Sequence, residues 1–383
     1  MSEETIDVVD ALEAQTTQTK GLQRQPDRTT SDFSSASAAK AAAIAAAAAL
    51  AACGGDGGGG GSATTAPDTV VAGRTVALSS VSGSPATDAE AARFLMQAQF
   101  SASTEDIASV RTLGYRVWLE RQIAMSYGLG WDWLNRQGYA DVQSTGNEYA
   151  DRMVWSQLIT SPDTLRRRAA LALSEIMAVS SSGIDFEWRN HAMTHYWDTL
   201  CKHALGNYRD LLEAITLNVA MGYFLNTKGN LKEGSNRQPD ENYAREVMQL
   251  FTIGLVELNL DGTPKVDGSG NTIDTYAATD VSNLARVFTG YDLNKSQGTT
   301  SSAFTRLPMA LTANNHSSLA ATFLGVTIPA NTPGSGALKI ALDTLFNHPN
   351  TAPFVCKQLI QRLVTSNPSP AYVARVVTAF NTV

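Results

Sequence analysis

Asp240-Glu241-Asn242-Tyr243-Ala244-Arg245-Glu246-Val247-Met248-Gln249-Leu250-Phe251-Thr252-Ile253-Gly254 sets the class of this fold. Pro239 stands just ahead of it, at the favoured first helical position, and Gly254 closes it. Tyr243, Ala244, Val247, Leu250 and Phe251 recur at helical spacing and make one broad apolar face. Glu241, Arg245 and Gln249 line the other face, with Asn242 and Glu246 beside them. The pattern predicts a helix half sunk in a core.

The segments around it repeat that pattern. Thr87 and Glu90 form a capping-box pair ahead of Ala91, Phe94, Leu95 and Ala98. Ser103 with Asp106 opens a second helix carrying Ile107, Val110, Leu113 and, after Gly114, Val117, Trp118 and Leu119. Ser161-Pro162-Asp163 starts a third, through Leu165, Leu171, Leu173, Ile176 and Met177. Phe186 to Leu205 reads as another, closed by a left-handed Gly206. Thr279–Phe288, Leu338–Phe346 and Pro353–Leu363 follow. Strand signal is confined to Leu255–Tyr276, where Asp261-Gly262 and Gly268 to Asn271 read as turns. The expectation is a mainly α fold: an irregular multi-helix bundle over residues 85–383 with one small β-hairpin insertion near residues 255–276.

The amino-terminal part is of another kind. Residues 1–37 are polar and acidic, with Glu3, Glu4, Asp7, Asp10 and Glu13 and no apolar periodicity, and read as a disordered leader. In residues 38–53, Lys40 precedes a nearly all-alanine run ending in Leu50-Ala51-Ala52-Cys53. A basic residue, a short apolar core and small residues mark a secretory signal. Leu-Ala-Ala-Cys is also similar to a bacterial lipobox, which makes Cys53 the expected lipidation site and membrane anchor. Residues 54–84, rich in Gly, Ser and Thr, would then be a flexible tether. The expected location is extracytoplasmic: periplasm, outer membrane as a lipoprotein, or cell surface. The acidic segment ahead of the signal is unusual, since a signal ordinarily opens with its basic region.

Composition narrows the function classes. With 383 residues, 43% of them hydrophobic, the chain can build a substantial core, which excludes a wholly disordered or fibrous protein. A net charge of −7 gives no pull towards nucleic acid, and no nucleic-acid partner is expected. Three cysteines are too few for a disulfide scaffold, and nothing in the sequence brings Cys201 and Cys356 together.

Several segments taken in order resemble the bacterial family catalogued as domain of unknown function 1800. They are Ala92 to Phe100, Gly114 to Gln122 ending in Trp118-Leu119-Glu120-Arg121-Gln122, His203 to Leu212, Asp240 to Gly254, and Ala285 to Tyr291, with His316 and Phe346-Asn347-His348-Pro349 after them. The resemblance covers roughly Ala89 to the end. It implies an exported, mostly helical bacterial protein without an established activity, accompanied by a partner from a second exported family, domain of unknown function 1501. Members usually continue past the equivalent of Val383, so the resemblance implies a carboxy-terminally incomplete copy. Many carry a Phe-Trp-His motif where this chain has Leu171 to Met177, so no role of those histidines transfers.

Two constellations could carry chemistry. Asp240, Asn242 and Arg245 could bind a ligand beside a helix start, with Glu241, Glu246 and the loop residue His316 as acid–base candidates. Against this, Glu241 and Arg245 stand four apart, the spacing of an ordinary helix-stabilising pair. His191, His195 and Asp198 fall within an arc of about 60°, opposite Met193, Tyr196, Trp197 and Leu200. They could hold a divalent metal, or simply form the exposed face of an amphipathic helix. Arg166-Arg167-Arg168 reads as one solvated helical turn. No nucleophile-elbow serine or phosphate-loop lysine is present. The favoured expectation is a binding or assembly module acting with another exported protein. The alternative is an extracytoplasmic, metal-assisted hydrolase built from the Glu, His and Asp residues above.

Overall fold

The computed structural model describes residues 69–71, 74–76, 78 and 81–382 apart from residue 147. The acidic leader, the signal-like segment with Cys53 and most of the tether lie outside the described residues.

The described chain is mainly helical. Helix α1, Asp88–Ala98, starts at Thr87, whose side chain accepts from the Glu90 amide. Helix α2, Thr104–Ala124, carries the full Ser103/Asp106 capping box and bends at Gly114, where φ is +75°. A side chain there would be strained by that φ and would meet the Ser84 hydroxyl and the Gly83 carbonyl at about 3 Å. Next come α3 (Gly130–Arg136), α4 (Glu148–Thr160) and α5 (Thr164–Ile176). Helix α6, Arg189–His203, is the axis of the fold and packs against α3, α4, α5, α7 (Tyr208–Thr216) and α8 (Val219–Phe224). The last five are α9 (Asn242–Glu246), α10 (Ala278–Ala285), α11 (Gly334–Asn347), α12 (Thr351–Leu363) and α13 (Pro370–Thr382). One continuous apolar core runs from Leu78 and Val81 through Phe94, Trp118, Leu200 and Phe288 to Phe380.

Three of the sequence expectations need correction. The Asp240–Gly254 helix starts at Asn242, not at Pro239, and is two kinds of helix. The α turn of α9 gives way to a π-helix over Val247–Thr252. The carbonyls of its last turn find partners outside the helix: the Tyr208 hydroxyl donates to Phe251 O at 2.7 Å and Gln358 Nε2 to Leu250 O at 3.3 Å. Gly254, at φ +69°, then reverses the chain. Gly206 is not left-handed; α6 ends earlier, at His203, through a Gly206 amide to His203 carbonyl bond of 2.9 Å. Strand pairing is also wider than the one hairpin. Residues 255–276 form a ladder of isolated antiparallel bridges, Val256 to Asp274, Leu258 to Pro264 and Val266 to Thr272. Short antiparallel pairs join β1 (Thr69–Val71) to β2 (Arg74–Val76), β3 (Tyr291–Asp292) to β4 (Ala310–Leu311), and β5 (Ala321–Phe323) to β6 (Val326–Ile328). Asn350 pins the base of the 255–276 insertion: its Nδ2 donates to the Ile253 and Val256 carbonyls, and its Oδ1 accepts from the Leu258 amide at 2.6 Å.

Candidate functional site

Helix α6 does not have the solvated face that its spacing suggests. His191 is 1% exposed and Asp198 7%, because α6 is enclosed by helices on nearly all sides. The three proposed metal ligands therefore do not converge on one point. His191 Nε2 donates to the Tyr139 carbonyl at 2.9 Å, with its ring edge-on to Trp131 and Trp188. Asp198 accepts from the Gly130 amide at 2.6 Å and the Trp131 amide at 3.1 Å, so its carboxylate closes the start of α3. Only His195 turns a free ring to a cavity, and Asp198 lines the same wall. Among the described residues no group of three His, Cys, Asp or Glu side chains comes together to hold a metal ion.

That cavity has a volume of about 540 Å³, within the usual range for small-molecule sites. Four separated stretches build it. Tyr127 and Leu129 come from the turn before α3; His195, Asp198, Thr199, Lys202 and His203 from one face and the end of α6; Asp210, Glu213, Ala214, Leu217 and Asn218 from α7 and the turn after it. Arg306 and Pro308 close it from the 3-10 turn Ser302–Arg306 and the residues that follow. Asn218 caps α8 through the Ala220 amide and donates to Thr199 Oγ1 at 3.3 Å, fixing this wall. The Arg306 guanidinium lies 4.5 Å over the Trp131 ring.

Burial sets the protonation of the wall. It pulls the His195 ring down to about 4, with Arg306 and Lys202 adding to the effect, so the ring is neutral at neutral pH. It pushes Asp198 up to about 6, against the two amide bonds that favour its charge. His203 is lowered by burial and by Lys202, with Asp210 opposing. His195 is thus a weak base, and each oxygen of Asp198 accepts from a backbone amide.

The second constellation is dispersed among structural partners. Glu241 pairs with Arg245 at 3.1 Å and accepts from the Ser282 hydroxyl. Asp240 accepts from the Asn242 amide at 2.8 Å and from Asn226 Nδ2 at 3.2 Å, while its own amide donates to Asn230 Oδ1. Glu246 is half-buried, and its carboxyl is raised by that burial. His316 is 9% exposed and donates from Nδ1 to the Thr289 carbonyl at 2.9 Å. It borders a small cleft with Arg286 and Ser317 that includes neither Glu241 nor Glu246.

The basic triplet is also corrected: Arg166 and Arg167 are buried, at 4% and 1% exposure. Arg167 pairs with Asp163 at 3.1 Å and donates to Gln157 Oε1, Cys201 Sγ and the Gly128 carbonyl. Cys201 sits behind it, a free thiol pushed by burial up to about 12 and so chemically inert. Cys356 is buried as well.

Lys202, His203, Asp210, Glu213 and Arg306 were not singled out by sequence. The one signal was the segment His203 to Leu212, which carries two of them. No helix of the described residues is long and apolar enough to cross a membrane. No curated protein and no solved structure matches this chain. Residues 93–383 match the family model described as "Protein of unknown function (DUF1800)", and the chain belongs to that family.

Proposed function

We propose that this protein is an exported binding module, anchored outside the cytoplasm through a lipid on Cys53 and acting with another exported protein, for which the 1501 family supplies the expected partner. Its helical body receives a small polar ligand in the cavity between α6, α7 and the turn at Arg306. The observation that carries the reading is the character of that cavity. It is large enough for a ligand and rich in polar groups, yet burial makes both of its histidines weaker bases and its buried carboxylate is engaged by backbone amides. Such a lining suits recognition better than proton transfer.

The test is native mass spectrometry of the full protein isolated from the cell envelope of its host. A small molecule should come off on mild activation from the wild type and be missing from an Ala214→Trp variant, in which the indole fills the cavity. Cys53→Ala should move the protein from the membrane to the soluble fraction. A wild-type protein without any released molecule, or one that turns over a co-purified compound, would overturn the reading.

A further inference from the structure

Lys202, Arg306 and Asp210 line the cavity without an ion-pair partner among the described residues, and unlike Asp198 they are not engaged by backbone amides there. These are held apart by the fold, Lys202 at the end of α6, Arg306 at the end of a 3-10 turn stacked on Trp131, and Asp210 in the first turn of α7. Both cations stand off α7, on α6 and the 3-10 turn, and both carboxylates Asp210 and Glu213 stand on α7. Arg306 acts on His195 and Asp210 on His203, while Lys202, between them at the end of α6, acts on both. Glu213 follows Asp210 by one helical turn on the same face and shares its charge with Arg209 at 2.8 Å. The cavity therefore carries its cations on α6 and the 3-10 turn, where the one carboxylate, Asp198, accepts two backbone amides, and its remaining carboxylates on α7, with Tyr127, Leu129, Leu217 and Pro308 as apolar lining.

Resting on the binding-module reading, we propose that the cavity takes a small zwitterion of the amino-acid or short-peptide class. Its carboxylate is received by Arg306 and Lys202, and its ammonium by Asp210 with Glu213. A guanidinium anchored over an aromatic ring can still offer its N–H groups to a carboxylate in a two-pronged contact. A neutral His195 adds one ring nitrogen as donor or acceptor without adding charge. A dianion would meet Asp210 and a dication would meet Arg306, so the lining also selects against ligands of a single sign.

The experiment is isothermal titration of the full chain with L-alanyl-L-alanine, its N-acetyl derivative and its carboxy-terminal amide, repeated on Arg306→Gln and Asp210→Asn. The dipeptide should bind, and removing either ligand charge should weaken binding at least tenfold. Arg306→Gln should erase the difference between dipeptide and amide, and Asp210→Asn that between dipeptide and N-acetyl form. Both residues are exposed, and an unchanged melting temperature checks that each variant is folded. If a variant fails to fold, the three titrations of the wild type still decide. Equal affinity for all three compounds overturns the inference, as does dipeptide binding indifferent to both substitutions. If none of the three binds while a different molecule is released from the native protein, the ligand class falls and the binding-module reading stands.

Discussion

Around Asp240 to Gly254 the polar side chains find partners within the protein: Glu241 with Arg245 and Ser282, Asp240 with Asn226 and Asn242, Tyr243 with Thr216. Around the cavity, Lys202, Arg306 and Asp210 find no ion-pair partner among the described residues. The first region is dense in sequence, and its charges serve to hold one segment in place. The second is scattered over Tyr127 to Pro308, and its charges are left available. The lesson is that a conspicuous polar motif and a site are different things. A polar group with its partners already supplied has little left to offer a ligand.

Four measurements test this contrast. The largest effect is expected at Arg167, a cation whose partners are all internal. Arg167→Ala leaves the buried Asp163 carboxylate without its counter-ion and should cost about 3–5 kcal/mol in urea denaturation. Lys202→Ala, an exposed cation of the cavity, should stay within about 0.5 kcal/mol. Equal costs would dissolve the distinction between used and available charge.

Next is the pH dependence of stability. His195 titrates near 4 in the folded protein and near 6.5 when unfolded, so the folded state holds fewer protons in that window and gains stability as pH rises through it. Asp198, raised to about 6, acts in the opposite sense and loses stability as pH rises from about 4 to 6. His195→Asn should remove a gain of roughly 3 kcal/mol between pH 4 and 6.5, since each pH unit separating the folded and unfolded titrations is worth about 1.4 kcal/mol. The midpoint of denaturation measured at both pH values reads this directly. A variant with the same slope as wild type would show that His195 is not desolvated.

Asn350→Ala comes third. It strips two carbonyls and one amide of their partner at the root of the 255–276 insertion and should cost about 2 kcal/mol. Amide exchange should speed up across residues 255–276 and hold steady around α6. The smallest effect is expected from Glu241→Gln, which breaks an exposed pair four residues apart. A loss under about 0.5 kcal/mol, with no change in ligand affinity, is the expected outcome. A large loss of affinity would return the site to the Asp240–Gly254 segment.

Much of the helical frame was legible, since caps and apolar spacing are local signals. Thr87 with Glu90 and Ser103 with Asp106 mark the starts of α1 and α2 where the structure has them. Short elements such as α8 and β3 to β6 were not, because a few residues carry no period to read. The cavity was half legible. His195 and Asp198 were named, but as an exposed face, since spacing along one helix says nothing of what surrounds it. Arg306 could not be found that way, because it comes to α6 only through the tertiary fold. Arg166 and Arg167 misled for the same reason: a run of charge reads as solvated unless its internal partners, here Asp163, Gln157 and Cys201, are known.

A π turn closes its bonds one residue later than an α turn, so Val247–Thr252 amounts to an insertion housed inside a helix. Loss of one residue from that stretch would let the ladder relax to ordinary α spacing, with Asn242 and Gly254 still at its ends. Helix α6 has no such slack. It is enclosed on nearly all sides, and one added or lost residue would swing His191, Asp198 and the apolar positions by about 100°. Changes of chain length among related proteins should therefore collect at the first segment and avoid the second, whatever ligand each protein has come to hold.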